Sequence, residues 1–199
     1  LDIGLVVLNA GVATGKVVER CSPAQLQDML DANCYQVGAL LGYFGRRLRA
    51  RGRQSGMVAV SSTASTFPIT CNTPYSSTKA FVAFLCQAVG YELAEQGDKV
   101  DLLCMKPGFV RTNMIGHIKE GKAPGEVTTN ESVATTLRDL GREQESFGPL
   151  THELIACYIR VMFRYFPYRL MQKNFERLSK RGTGSGDKPK DTSAKPETS

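Results

Sequence analysis

Three short apolar runs, at residues 3–9, 56–62 and 99–106, limit what this 199-residue chain can fold into. Runs of this length, flanked by polar or turn-forming residues, read as strands rather than helices. Gly4-Leu5-Val6-Val7-Leu8 is apolar at consecutive positions, so both faces of that strand call for cover. The intervals are long enough for helices. One covers most of 22–50 and is begun by Ser22-Pro23, a capping residue followed by a residue suited to the first helical position. The other covers 74–96. A β-α-β-α-β order predicts parallel strands with helices on both faces, an α/β fold.

The strand at 56–62 delivers Ser61 and Ser62 at its C-terminal end, and the second helix opens with Tyr75-Ser76-Ser77-Thr78-Lys79. Four residues is about one helical turn, so Tyr75 and Lys79 share a face. A phenol titrates near pH 10, and a neighbouring ammonium favours its ionised form, so Lys79 is expected to lower the Tyr75 pKa. A hydroxyl, a tuned phenol and a lysine gathered at a strand end can move a proton to or from a carbonyl or alcohol oxygen. Each residue also has a plainer use. Tyr75 and Lys79 suit an amphipathic helix start, Ser62 a turn or cap, Asn33 a helix surface, and Pro107-Gly108 a strand-ending turn.

Order and spacing favour the chemical use. The chain resembles the short-chain dehydrogenase/reductase family, with Tyr75-x-x-x-Lys79 and Ser62 thirteen residues before the tyrosine. Asn9-Ala10-Gly11 resembles the end of the family's Asn-Asn-Ala-Gly motif, with Leu8 in place of the first Asn. Asn33 falls at the fourth catalytic position, and Pro107-Gly108-Phe109-Val110-Arg111-Thr112 resembles the Pro-Gly…Thr segment. The resemblance implies the C-terminal portion of a Rossmann-type doubly wound parallel sheet. By that comparison the first strands and the glycine-rich turn are missing. Residues 116–128 would form a mobile flap over the substrate.

The resemblance also implies roles. Tyr75 would protonate a carbonyl oxygen as hydride arrives, and Lys79 would tune the phenol and hold the nicotinamide ribose. Ser62 would stabilise charge on the substrate oxygen, and Asn33 would anchor a proton-relaying water. Asn9, Gly11, Tyr75, Lys79, Pro107, Gly108, Val110 and Thr112 would line the cofactor. Weaker markers in 127–134 and 148–154 resemble the branch of very-long-chain 3-oxoacyl-CoA reductases and 17β-hydroxysteroid dehydrogenases. That branch implies NADPH rather than NADH. The substrate would be a hydrophobic ketone, an acyl-CoA or a steroid. The location would be the cytosolic face of the endoplasmic reticulum membrane, with the cytoplasm as the alternative. Two function classes stay open. One is an oxidoreductase of which this is an incomplete copy; the other is a truncated, catalytically silent binding or membrane-associated protein.

Three regions are expected: a partial Rossmann-type domain over 1–149, an amphipathic helical extension over 150–180, and a disordered tail over 181–199. Residues 151–199 hold 10 Lys/Arg against 5 Asp/Glu, whereas residues 1–150 hold 15 against 14. Leu154, Ile155, Tyr158, Ile159, Met162, Phe163 and Phe166 read as one broad apolar face, with Arg160, Arg164, Arg169, Lys173 and Arg177 opposite. The charge frequency excludes an ordinary membrane span. A helix lying in a bilayer interface, divided at Pro167, fits; a helix pair packed on the domain or against a second copy is the other reading. The Arg46–Arg53 cluster reads chiefly as a solvated helix end, and no nucleic-acid partner is expected. Gly182-Thr183-Gly184-Ser185-Gly186 reads as flexible linker, with no strand before it to make a phosphate-binding turn. The six cysteines lack metal or disulfide spacing and read as reduced thiols. His117 and His152 have no partners at ligand spacing, so no metal site is expected.

Overall fold

A computed structural model describes residues 1–165 apart from Cys71, Asp98 and residues 116–120. Part of the expected flap, the extension from Phe166 with its break at Pro167, and the tail lie outside the described residues.

Four strands, β1 (Leu5–Leu8), β2 (Ser55–Val60), β3 (Val100–Met105) and the two-residue β4 (Glu145–Ser146), form one parallel sheet in chain order. Register is continuous, with Leu8 opposite Ala59 and Val60 opposite Met105. Between β1 and β2 lie α1 (Pro23–Leu30) and α2 (Gln36–Ala50); α3 (Thr73–Glu95) follows β2. The expected capping at Ser22 takes its full reciprocal form, the Gln25 N–H donating to Ser22 Oγ and the Ser22 N–H to Gln25 Oε1, both at 3.2 Å. A single wide π-turn at Asp31–Tyr35 joins α1 to α2, closed by the Gln36 N–H on the Asp31 carbonyl.

Alternation along the strands divides the core. Met57, Ala59, Leu102 and Cys104 point to one face, where Val37, Leu41 and Leu48 of α2 and Val82, Ala83 and Cys86 of α3 cover them. Val58, Leu103 and Met105 point to the other, against Val60 and Leu140. The two helices between the strands, α2 and α3, share one face, while the second face is met by Leu140 at the end of the helix Thr129–Asp139. Consecutive parallel strands joined by crossovers of the same hand place both helices on the same side. On the second face of β1, Leu5 and Val7 stay exposed.

Two further helices complete the described residues. Thr128 caps α4 (Thr129–Asp139) by accepting the Glu131 N–H at 3.2 Å, and α5 (Leu150–Tyr165) runs to the end of the described chain. The apolar surface of α5 is divided rather than single. His152 and Ala156 are buried, and Phe163 stacks on Phe67 with ring centroids 5.2 Å apart. Leu150, Leu154, Tyr158, Val161 and Tyr165 face outward. At the end of α2, Arg51 pairs with Asp2 at 2.5 Å, so part of the arginine cluster fastens the start of the chain.

Candidate active site

The C-terminal ends of β1, β2 and β3 lie side by side, and backbone pairing carries on beyond the strands. The Ser61 N–H donates to the Met105 carbonyl at 2.7 Å and the Thr63 N–H to the Pro107 carbonyl at 2.9 Å. Residues 9–11, 61–63 and 107–108 therefore form one rim, with the first turns of α3 against it.

Lys79 is 4% exposed, and its Nζ donates to the Val60 carbonyl at 2.9 Å. The Ser61 hydroxyl donates to the Lys79 carbonyl at 2.7 Å, so α3 is fastened to the end of β2 from both directions. One turn earlier, the Tyr75 ring lies with its centroid 5.7 Å from Lys79 Nζ, a cation–π arrangement. Ser62 Oγ accepts the Ala64 N–H at 3.1 Å, which leaves its own proton free to donate.

Burial pushes the Tyr75 phenol above its usual pKa, and a hydrogen bond with the Ser62 hydroxyl pulls it partway back. Burial likewise pushes Lys79 below its usual value. The expected lowering of the Tyr75 pKa by Lys79 is thus corrected. The ammonium sits against the ring and directs a hydrogen bond to Val60, and desolvation of the phenol is the larger effect. A phenol in this state is held protonated, which suits a proton donor.

Asn33 occupies the π-turn and is fully buried. Its Oδ1 accepts the Val12 N–H at 2.8 Å, and its Nδ2 donates to the Val12 carbonyl and to Thr78 Oγ1, both at 2.9 Å. Thr78 passes the connection on by donating to the Tyr75 carbonyl at 2.8 Å. Asn33 thereby joins the loop after β1 to the Tyr75–Lys79 turn of α3. Gly11 closes this group: a Cβ there would stand 3.2 Å from both Asn33 Oδ1 and Lys79 Nζ.

On the far side of the rim, Val110 pairs with Val127 as an isolated parallel bridge. Arg111 Nε donates to Glu126 Oε1 at 2.7 Å. The Gly108 N–H donates to His152 Nδ1 at 3.2 Å. Asn9 and Thr112 are exposed at the mouth. Ser62, Tyr75, Lys79, Asn33 and Gly11 are thus brought together, with Pro107 and Gly108 beside them; Asn9, Val110 and Thr112 lie at the periphery. Thr78, Glu126 and His152 were not read from the sequence as residues of the site. Thr78 lies inside the Tyr75–Lys79 motif, and its hydroxyl between those two residues was the available signal.

The short chain dehydrogenase family profile matches residues 1–123. A protein named as a ketoacyl reductase of the monensin polyketide synthase, from Streptomyces virginiae, is 34% identical over 137 residues, which are 67% of this chain and 51% of that protein. The 17-beta-hydroxysteroid dehydrogenase type 3 of Danio rerio is 26% identical over 165 residues, 80% of this chain and 52% of that protein. Among solved structures, a 7beta-hydroxysteroid dehydrogenase matches with TM-score 0.74 at 19% identity, covering 88% of this chain and 67% of that one. A short chain dehydrogenase from Burkholderia cenocepacia, in complex with NADP, matches with TM-score 0.70 at 20% identity, covering 83% and 70%. At such identities the structures bear on fold alone. The chain spans about half the length of the curated relatives it matches.

Proposed function

The chain belongs to the short-chain dehydrogenase family, and from that premise we propose that it reduces a ketone to a secondary alcohol with a reduced nicotinamide cofactor. NADPH is preferred to NADH. The substrate has a large apolar body, a 3-oxoacyl thioester first and a 17-ketosteroid second; relatives named as a ketoacyl reductase, a 3-oxoacyl-[acyl-carrier-protein] reductase and a 17-beta-hydroxysteroid dehydrogenase support this choice. The observation that carries this reading is the grouping of Ser62, Tyr75 and a buried Lys79 at the ends of parallel strands.

The residues fit the nicotinamide-ribose end of such a cofactor. Gly11 leaves bare backbone beside the Lys79 ammonium, in space that a Cβ would take. Asn9, Gly11, Tyr75, Lys79, Pro107, Gly108, Val110 and Thr112 would hold it. When bound, the reduced nicotinamide supplies hydride to the carbonyl carbon. Tyr75 gives its phenolic proton to the carbonyl oxygen, and the Ser62 hydroxyl donates a hydrogen bond to that oxygen as negative charge grows. Lys79 then faces a phenolate and stabilises it until a proton returns. Asn33 fixes this turn of α3, and a water relaying protons from Lys79 would sit near Gly11, where both side chains converge.

The direct experiment follows NADPH consumption by the full chain with 3-oxoacyl-CoA and with a 17-ketosteroid, identifying the alcohol formed. Ketone-dependent oxidation is expected. Unchanged NADPH fluorescence at saturating protein, together with no alcohol from either ketone, overturns the reading.

We also propose that α5 rests on an anionic membrane surface. Leu150, Leu154, Tyr158, Val161 and Tyr165 recur along one exposed stripe, with Arg160 and Arg164 at its edge. The sequence continues with Arg169, Lys173 and Arg177. Among the described residues, no helix is long and apolar enough to cross a membrane. Apolar side chains flanked by arginines suit an interfacial position among acidic headgroups.

A further inference from the structure

His152 projects from the inner side of α5 and is 1% exposed, with its ring between two glycines from separate segments. Nδ1 accepts the Gly108 N–H at 3.2 Å, and Nε2 lies 3.0 Å from the Gly125 carbonyl. A nitrogen that accepts carries no proton, so these partners assign the neutral tautomer, with Nε2–H donating to Gly125. Both glycines make room for α5. A Cβ at position 108 would stand 2.7 Å from His152 Cδ2 and 3.0 Å from Nε2. Gly125 has φ +66, which disfavours any side chain, and a Cβ there would strike Ile155.

The two glycines belong to the two halves of one clamp. Gly108 opens the 107–112 segment. Gly125 precedes Glu126, the partner of Arg111, and Val127, the partner of Val110. The bridge and the ion pair join the two segments to each other. His152 does something further, since it fastens both of them to α5 through different nitrogens.

We propose that His152 is a positioning residue that sets the 107–112 segment against the Gly125–Val127 stretch. Its Nδ1 link holds the segment that would receive the cofactor, and its Nε2 link holds the stretch that would border the substrate. The assignment of ligands to the two segments rests on the functional reading above; the clamp itself does not.

Three substitutions in the full chain separate the links. Asn retains an acceptor close to the Nδ1 position, Gln retains a donor close to the Nε2 position, and Leu retains neither. His152→Leu is expected to raise KM for both NADPH and ketone about tenfold, the factor that one lost buried hydrogen bond gives, with kcat nearly unchanged. His152→Asn restores KM for NADPH but not for ketone, and His152→Gln does the reverse. In hydrogen exchange on the cofactor-free protein, the Gly108 amide exchanges about tenfold faster in His152→Leu and His152→Gln, but not in His152→Asn. The proposal is overturned if Gly108 protection is the same in all variants, or if all three shift both KM values equally. Should His152→Leu fail to fold, the Asn and Gln pair decides. If the unsubstituted protein oxidises no NADPH, the functional reading fails, and exchange at Gly108 alone decides the clamp.

Discussion

The Lys79 ammonium donates to the Val60 carbonyl at 2.9 Å, so the end of β2 and the helix bearing Tyr75 are fixed by one charged group. That placement has two consequences. The strand-end carbonyl finds a partner inside the protein. The ammonium also stays buried beside the phenol, and that burial pushes its pKa down. A buried cation next to a phenol has its largest effect once the phenol has lost its proton, because only then does an opposite charge stand beside it.

Tyr75→Phe removes the proton donor and little else. The ring keeps its place over Lys79, and only the hydroxyl's hydrogen bond with Ser62 is lost. Ketone reduction is expected to fall about 10²- to 10⁴-fold, the usual contribution of a positioned acid. NADPH affinity by fluorescence titration is expected to stay within about twofold, since the ring that would border the cofactor is kept and only the hydroxyl that meets the substrate oxygen is lost. Turnover that survives the substitution would assign the proton to another group.

Alkaline titration tests the state of the phenol without any ligand. Tyr75 has a folded pKa above its ordinary 10.0, so its stabilising contribution is complete below that value and is lost as pH rises through the folded one. Lys79 has a folded pKa below its ordinary 10.5, so the opposite sign applies. The cost of burying its charge is present at neutral pH and is relieved as pH rises through the folded value, completely so above 10.5. The chain has seven tyrosines. Subtracting the ultraviolet titration of Tyr75→Phe from that of the unsubstituted protein is expected to leave one phenol ionising above pH 10. A midpoint below that value would restore the simpler picture in which Lys79 lowers the tyrosine's pKa.

Asn33→Ala tests the tie between the loop after β1 and α3. The substitution removes the partner of the partly exposed Val12 N–H and carbonyl and of the buried Thr78 Oγ1. Stability in urea is expected to drop by about 1–3 kcal/mol, the range for stranding buried polar groups. Asn33→Asp should also lose stability, because a carboxylate cannot donate to the Val12 carbonyl or to Thr78 Oγ1. An unchanged urea midpoint for both variants would remove Asn33 from the framework of the site.

The parts legible in the sequence are those carried by pattern. Consecutive apolar residues gave away Leu5–Leu8 and Ser55–Val60 as strands, and Ser22-Pro23 marked a helix start. The four-residue spacing of Tyr75 and Lys79 was enough to place them on one face. The two-residue β4 has no periodicity to read, and α4 is rich in Thr and polar residues with little apolar face. The π-turn at Asp31–Tyr35 adds one residue to a helical turn and leaves no compositional mark. For α5, the sequence shows apolar residues on adjoining stripes but not which stripe is covered. Phe67, Gly108 and Gly125 decide that from distant parts of the chain, taking in His152, Ile155 and Phe163 and leaving Leu154 and Tyr158 outside. The Tyr75 pKa went the same way, since desolvation depends on what packs around a group rather than on its neighbours in sequence.

The outer stripe of α5 supplies the last prediction. If Leu154 and Tyr158 enter a bilayer interface while Arg160 and Arg164 meet acidic headgroups, binding needs both contributions. The protein is expected to sediment with phosphatidylcholine vesicles that contain phosphatidylserine, and weakly with vesicles that lack it. A basic residue near an anionic surface is worth about 1 kcal/mol, so changing Arg160 and Arg164 to Gln should weaken partitioning about 30-fold. High salt should have a similar effect, since the Debye length shrinks to about 3 Å at 1 M. Leu154→Glu should abolish partitioning in either medium by placing a carboxylate at the centre of the apolar stripe. Equal sedimentation with neutral and acidic vesicles would remove the electrostatic half. A dimer in analytical ultracentrifugation that Leu154→Glu dissociates, with no vesicle binding at all, would assign the stripe to a second copy of the chain instead.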